Sequence, residues 1–130
     1  MRLSVLLRLQ LVYVAMGTGF NVVSLLVGIL GAEPLTSTKP YLGLIAMLVY
    51  ASFLLAAYKE RLLFYRVLMG CSLLLFGHSG IYVHIVQLYQ QPELYYSTSV
   101  ALAAIAINAF GWMLNLLAAL GHIYVEDKNS

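Results

Sequence analysis

Long apolar runs separated by short polar interruptions dominate the chain. Residues 9–32, 40–58, 67–92 and 94–125 contain no Asp, Glu, Lys or Arg. Each run reaches the roughly 18–20 residues that a helix needs to cross a hydrocarbon core about 30 Å thick. A barrel strand would need only about 10 alternating residues, so the pattern predicts helices. The fold class expected is an all-α integral membrane protein, an antiparallel bundle of four transmembrane helices over about 9–31, 40–58, 62–89 and 97–125, with residues 1–130 forming one membrane domain. The interruptions carry boundary signals. Thr38 suits a helix N-cap and Pro40 a first helical turn. Lys59-Glu60-Arg61 allows only a tight turn, and Pro92 stops the third helix.

Composition agrees with that reading. Charged residues make up 9% of the chain, against about 25% in soluble domains. Six of the seven basic residues, Arg2, Arg8, Lys59, Arg61, Arg66 and Lys128, fall on one side of the expected bundle, and Lys39 falls on the other. The positive-inside rule makes the first side cytoplasmic, with both termini there. The net charge of +2 follows topology and does not suggest nucleic acid. The apolar run near Arg8 is too long for a signal-peptide core and lacks a small-residue cleavage site, so it is expected to remain as the first helix. Cys71 is the one cysteine and cannot form an intrachain disulfide.

Helices in lipid associate through small and polar residues, which should recur every three or four positions. The first helix carries Tyr13, Gly17, Asn21, Ser24, Gly28 and Gly31 at such spacings. The third carries Arg66, Gly70, Gly77, Gly80, His84, Gln87 and Gln91, and the fourth Ala101, Ala104, Asn108, Gly111, Asn115, Ala118 and His122. The second is weaker, with Gly43, Ala46, Tyr50 and Ala57. Gly17, Ser24, Gly28, Gly70, Gly77, Gly80, His84, Gly111 and Asn115 are the packing positions expected from these stripes.

Depth singles out another set. Asn21, Tyr50, His78 and Asn108 each lie about ten residues from the outer end of a different helix, hence near one midplane level at 1.5 Å rise per residue. This layer is either a hydrogen-bonded brace or the floor of a polar pocket, since intramembrane ionisable groups point to function. His78 would be its central residue, with Trp112 lining the apolar part, and His84 would belong to the packing stripe instead.

Gly77-His78-Ser79-Gly80 resembles the nucleophile motif of rhomboid proteases over four residues. A serine nucleophile needs a base within hydrogen-bond reach. His78 points about 100° away from Ser79 around the helix, His84 is on the same helix and His122 lies far below. No catalytic residue is assigned. Haem would require two facing ligands at one depth, and His78 and His84 sit on one helix, roughly 9 Å apart along it. The His/Cys/Asp/Glu clusters that hold transition metals are missing from the spans, so no metal and no cofactor is expected. A proton-coupled exporter would need a carboxylate within a span, and there is none.

The functional expectation is therefore a non-enzymatic multi-pass membrane protein, an accessory or scaffolding subunit. Its partners would be membrane lipids and other membrane-protein helices or copies of itself. The alternatives are a small transporter or lipid- or small-molecule-binding bundle built on the midplane layer, and a haem- or quinone-linked anchor subunit. A bacterial inner or plasma membrane is the default location, with organellar membranes open.

Overall fold

The computed structural model describes residues 1–125. Its helices are α1 (Leu3–Ile29), α2 (Pro40–Tyr58), α3 (Leu62–Phe76), a π-helical turn (Gly77–Tyr82), α4 (Val83–Gln90), a 3-10 turn (Pro92–Leu94) and α5 (Thr98–Leu120). α3, the π turn and α4 run on without a break as one rod, Leu62–Gln90. Among the described residues, this rod, α1, α2 and α5 are the four helices long and apolar enough to cross a membrane. They pack in cyclic order, α1 on α2, α2 on α3, the third rod on α5, and α5 back on α1.

At the start of α2 the N-cap is Lys39, with no side-chain cap, rather than Thr38, and two element ends lie several residues from the sequence expectation. α1 begins at Leu3 rather than near residue 9, because its first turns are held by packing: Leu6 and Leu7 are buried in the core. α5 ends at Leu120 rather than near 125, because Gly121 takes a left-handed conformation with φ 73°. That conformation suits a residue without Cβ and terminates the helix. Arg66 then donates from Nε and Nη2 to the carbonyl of Ala119, at 3.3 and 3.2 Å, placing a cation at the negative end of α5. A Cβ on Gly121 would meet that guanidinium at 2.8 Å. Close by, Leu3 donates its N–H to Tyr124 at 3.0 Å, and Tyr124 donates to Met1 at 3.1 Å. This is the terminal end of the bundle, and the opposite one is the loop end.

The π turn decides which face of the third rod looks inward. Tyr65, Met69, Ser72, Phe76, Gly80 and His84 are its buried residues. The last three steps, from Ser72 to His84, are each four residues. In a regular α-helix every such step drifts by about 40°, so three would carry His84 off the face. The wider π turn, in which the Val83 N–H bonds five residues back to His78, absorbs that drift.

The close packing depends on glycines at particular neighbours. A Cβ on Gly111 would collide with the Tyr13 ring, and one on Gly43 with the Asn21 amide. At Gly80 it would meet the Asn108 amide at 2.6 Å, at Gly17 the Met47 sulfur at 2.6 Å, and at Gly77 the Trp112 indole nitrogen at 2.8 Å. Gly28 and Gly70, expected at packing positions, have nothing within 4 Å of such a Cβ. Gly70 lies one position beyond Met69, on the flank of the buried face, and Gly28 lies past Ser24, the last buried residue of α1.

Candidate functional site

A cavity of about 290 Å³ occupies the half of the bundle toward the loop end. All four rods contribute to it. α1 supplies Tyr13, Gly17, Phe20 and Asn21; α2 supplies Leu42, Gly43, Ala46 and Met47; the third rod supplies Leu75, Phe76, Ser79, Gly80 and His84; and α5 supplies Ala104, Ile107 and Asn108. Thr36 and Thr38, from the segment joining α1 to α2, complete it. No Asp, Glu, Lys or Arg is among these residues. Among the lining side chains, Leu42, Leu75, Ser79 and Thr38 are exposed. The opening therefore lies on the flank of the bundle, between α2 and the third rod near the loop end, where close packing of these two rods is confined to α3.

The two asparagines are oriented by their own helices. Asn21 donates from Nδ2 to the Gly17 carbonyl at 2.8 Å, and Asn108 does the same to Ala104 at 2.9 Å. A carbonyl four residues back fixes which end of each amide is nitrogen. Each Oδ1 is then left as an acceptor, and neither accepts a hydrogen bond within the described residues. Gly43 and Gly80 provide the room for these amides on the facing rods.

The loop end is tied down over the cavity. Ser24 accepts from the Leu35 N–H at 3.1 Å, and the Tyr96 N–H donates to the Leu35 carbonyl at 3.2 Å. Ser37 donates to Gln87 Oε1 at 2.6 Å. His84 is 5% exposed, and its Nδ1 lies 2.7 Å from the Tyr95 hydroxyl. Burial raises the Tyr95 phenol above its ordinary value.

The opposite wall is aromatic and then polar. Tyr13, Tyr50 and Phe76 meet edge to face, with ring centroids 5.2, 5.8 and 6.2 Å apart. Behind them, toward the terminal end, lies a network without exposure to solvent. Tyr50 donates to Asn115 Oδ1 at 2.6 Å, Tyr65 donates to Gln10 Oε1 at 2.6 Å, and Gln10 Nε2 reaches Asn115 Oδ1 at 3.5 Å and the Met69 sulfur at 3.1 Å. The Tyr13 hydroxyl and Asn115 Nδ2 make no hydrogen bond among the described residues, at a cost of about 1–3 kcal/mol for each such buried group.

The layer expected from depth is therefore divided. Asn21 and Asn108 line the cavity, but His78, Tyr50 and Trp112 do not. His78 lies two residues from both Phe76 and Gly80. At 100° per residue that is about 200° around a helix, so His78 faces outward, exposed and beside the Tyr82 ring at 5.8 Å. Tyr50 stands behind the aromatic wall because its hydroxyl is drawn to Asn115. Residue counting places Cα atoms, and a phenol acts a ring's length away from its own. Trp112 is half-buried and packs on Gly77 instead. His84, expected as packing, lines the cavity. Ser24, Gly80, Gly111, Gly17 and Asn115 are buried.

Gln10 and Tyr65 were not anticipated as interior polar groups. Gln10 stands three residues before Tyr13 and seven before Gly17, a spacing that places it on the same face of α1. Tyr65 sits four before Met69 and seven before Ser72, which marks the true inner face of α3. Among the described residues no group of His, Cys, Asp and Glu is arranged to hold a metal ion.

Comparison of the chain with protein-family models, with curated proteins and with solved structures finds no match. The reading of its function rests on the cavity.

Proposed function

We propose that this chain is a multi-pass integral membrane protein whose bundle binds a small amphiphilic molecule in the loop-end cavity, without acting on it chemically. One observation carries the reading. The cavity lies within four apolar helices and its lining is mostly apolar, with Asn21, Asn108, His84, Thr36, Thr38 and Ser79 among its polar lining residues. Ligand sites are commonly concave, mostly apolar and marked by a few fixed polar groups, and occupy about 300–1,000 Å³. In a bilayer the flank opening would face acyl chains, so the ligand would enter from the lipid phase. The basic side of the chain would face the cytoplasm with the terminal end, and a bacterial inner or plasma membrane is the default setting.

The experiment is recovery of a bound molecule. Protein purified in mild detergent is extracted and compared by mass spectrometry with the Ala46→Phe variant, whose ring would fill the cavity. A species retained in stoichiometric amount by the native chain and lost from the folded variant supports the reading. Identical extracts count against it.

An accessory role is the second reading. Gly28 and Gly70 leave small surfaces open on α1 and α3, where another helix can approach closely. Native electrophoresis of detergent extracts tests it. Migration only as the free chain would argue against a partner.

A further inference from the structure

We infer that the cavity selects an uncharged amphiphile whose head carries a hydroxyl donor; this rests on the binding reading above and specifies its ligand. The first ground is charge. No Asp, Glu, Lys or Arg is among the residues around the cavity, and its one titratable nitrogen base, His84, is engaged by the Tyr95 hydroxyl; a charged head taken out of water without a partner is strongly disfavoured. The second ground is hydrogen-bond polarity. Asn21 and Asn108 each spend an Nδ2 hydrogen on their own helix and leave Oδ1 free to accept. Each amide also keeps a second Nδ2 hydrogen, so a hydroxyl, which both donates and accepts, suits both ends of it, whereas a head built only of acceptors leaves the oxygens unpaired. The third ground is access. Leu42 and Leu75, half or more exposed at the opening, present apolar surface to a chain arriving from the flank. Phe20 and Phe76 can hold that chain inside. Aromatic rings also attract cations, but here no carboxylate is present to neutralise one.

The test uses four ten-carbon probes with one body and different heads: 1-decanol, decane, decanoate and decylammonium. Full-length protein in lipid nanodiscs is titrated with each, and protein-free nanodiscs supply the background for partitioning. The expected result is a saturable component for 1-decanol at least tenfold tighter than for the other three. Asn21→Leu combined with Asn108→Leu should bring 1-decanol within twofold of decane. Because that double variant could disturb packing, Asn21→Asp provides a gain: its carboxylate should shift preference at least tenfold toward decylammonium. Tighter binding of decanoate, decylammonium or decane than of 1-decanol by the native chain would overturn the head-group assignment and leave the binding reading intact. Absence of a saturable component for all four would overturn the binding reading itself.

Discussion

The Nδ1 atom of His84 lies 2.7 Å from the hydroxyl of Tyr95, and this pair ties the segment before α5 to the rod that forms one wall of the cavity. Tyr95→Phe removes the hydroxyl and leaves a buried ring nitrogen unpaired, which should cost about 1–3 kcal/mol. Burial, which raises the Tyr95 phenol, gives this residue a pH signature as well. Its folded value lies above the unfolded one, so the stabilisation is complete below about pH 10 and is lost as pH rises through the folded value. Melting temperatures of native and Tyr95→Phe protein should differ by a constant amount up to that pH and converge above it. A difference that vanishes near neutrality would refute the assignment.

The two histidines should respond in opposite ways. His78→Ala, on the outward face, should change stability by no more than about 0.5 kcal/mol. His84→Ala should destabilise by about 1–3 kcal/mol, because the Tyr95 hydroxyl loses its shortest partner in a buried site. Thermal melts in detergent decide between them, and equal losses would contradict the orientation of the rod.

Glycines divide in the same manner. Gly43→Val and Gly111→Val would drive a branched side chain into Asn21 and Tyr13 respectively, and overpacking of this kind costs about 1–3 kcal/mol. Gly28→Ala and Gly70→Ala meet open space and should leave stability unchanged or raise it by up to about 1 kcal/mol. The comparison needs only four variants and one unfolding assay. A loss at Gly70 as large as at Gly111 would mean that α3 packs through another face.

Gln10 and Tyr65 form a coupled pair, with Tyr65 donating to Gln10 at 2.6 Å. Gln10→Leu and Tyr65→Phe should each destabilise, and the double variant should fall short of their sum by about 0.5–3 kcal/mol. Strict additivity would show that the hydrogen bond contributes nothing.

Much of the helical architecture was legible in the sequence, because uninterrupted apolar runs of this length have few other solutions. The inward faces of α1 and α5 were legible too, since Tyr13, Gly17 and Ser24, and Ala101, Ala104, Gly111, Asn115 and Ala118, keep an α-helical period. The third rod was not. Its small and polar stripe through Arg66, Gly70 and Gly77 suggested one face, while the rod buries Tyr65, Met69, Ser72 and Phe76. The successive four-residue steps from Ser72 to His84 were the available sign of a π turn, and an assumption of uniform α geometry conceals it. The candidate site was legible in part for a related reason. Asn21 and Asn108 both line the cavity, but counting depth along a helix does not say which way a side chain points, and His78 points out.

Cysteine accessibility reports directly on whether 1-decanol occupies the cavity. With Cys71→Ser as background, a single cysteine is introduced by Ala46→Cys on the cavity wall or by His78→Cys on the outward face. Each is treated with methyl methanethiosulfonate in nanodiscs, with and without saturating 1-decanol. Modification at position 46 should be at least fivefold slower in the presence of 1-decanol, with an unchanged rate at position 78. Protection at 78 and none at 46 would contradict occupancy of the cavity.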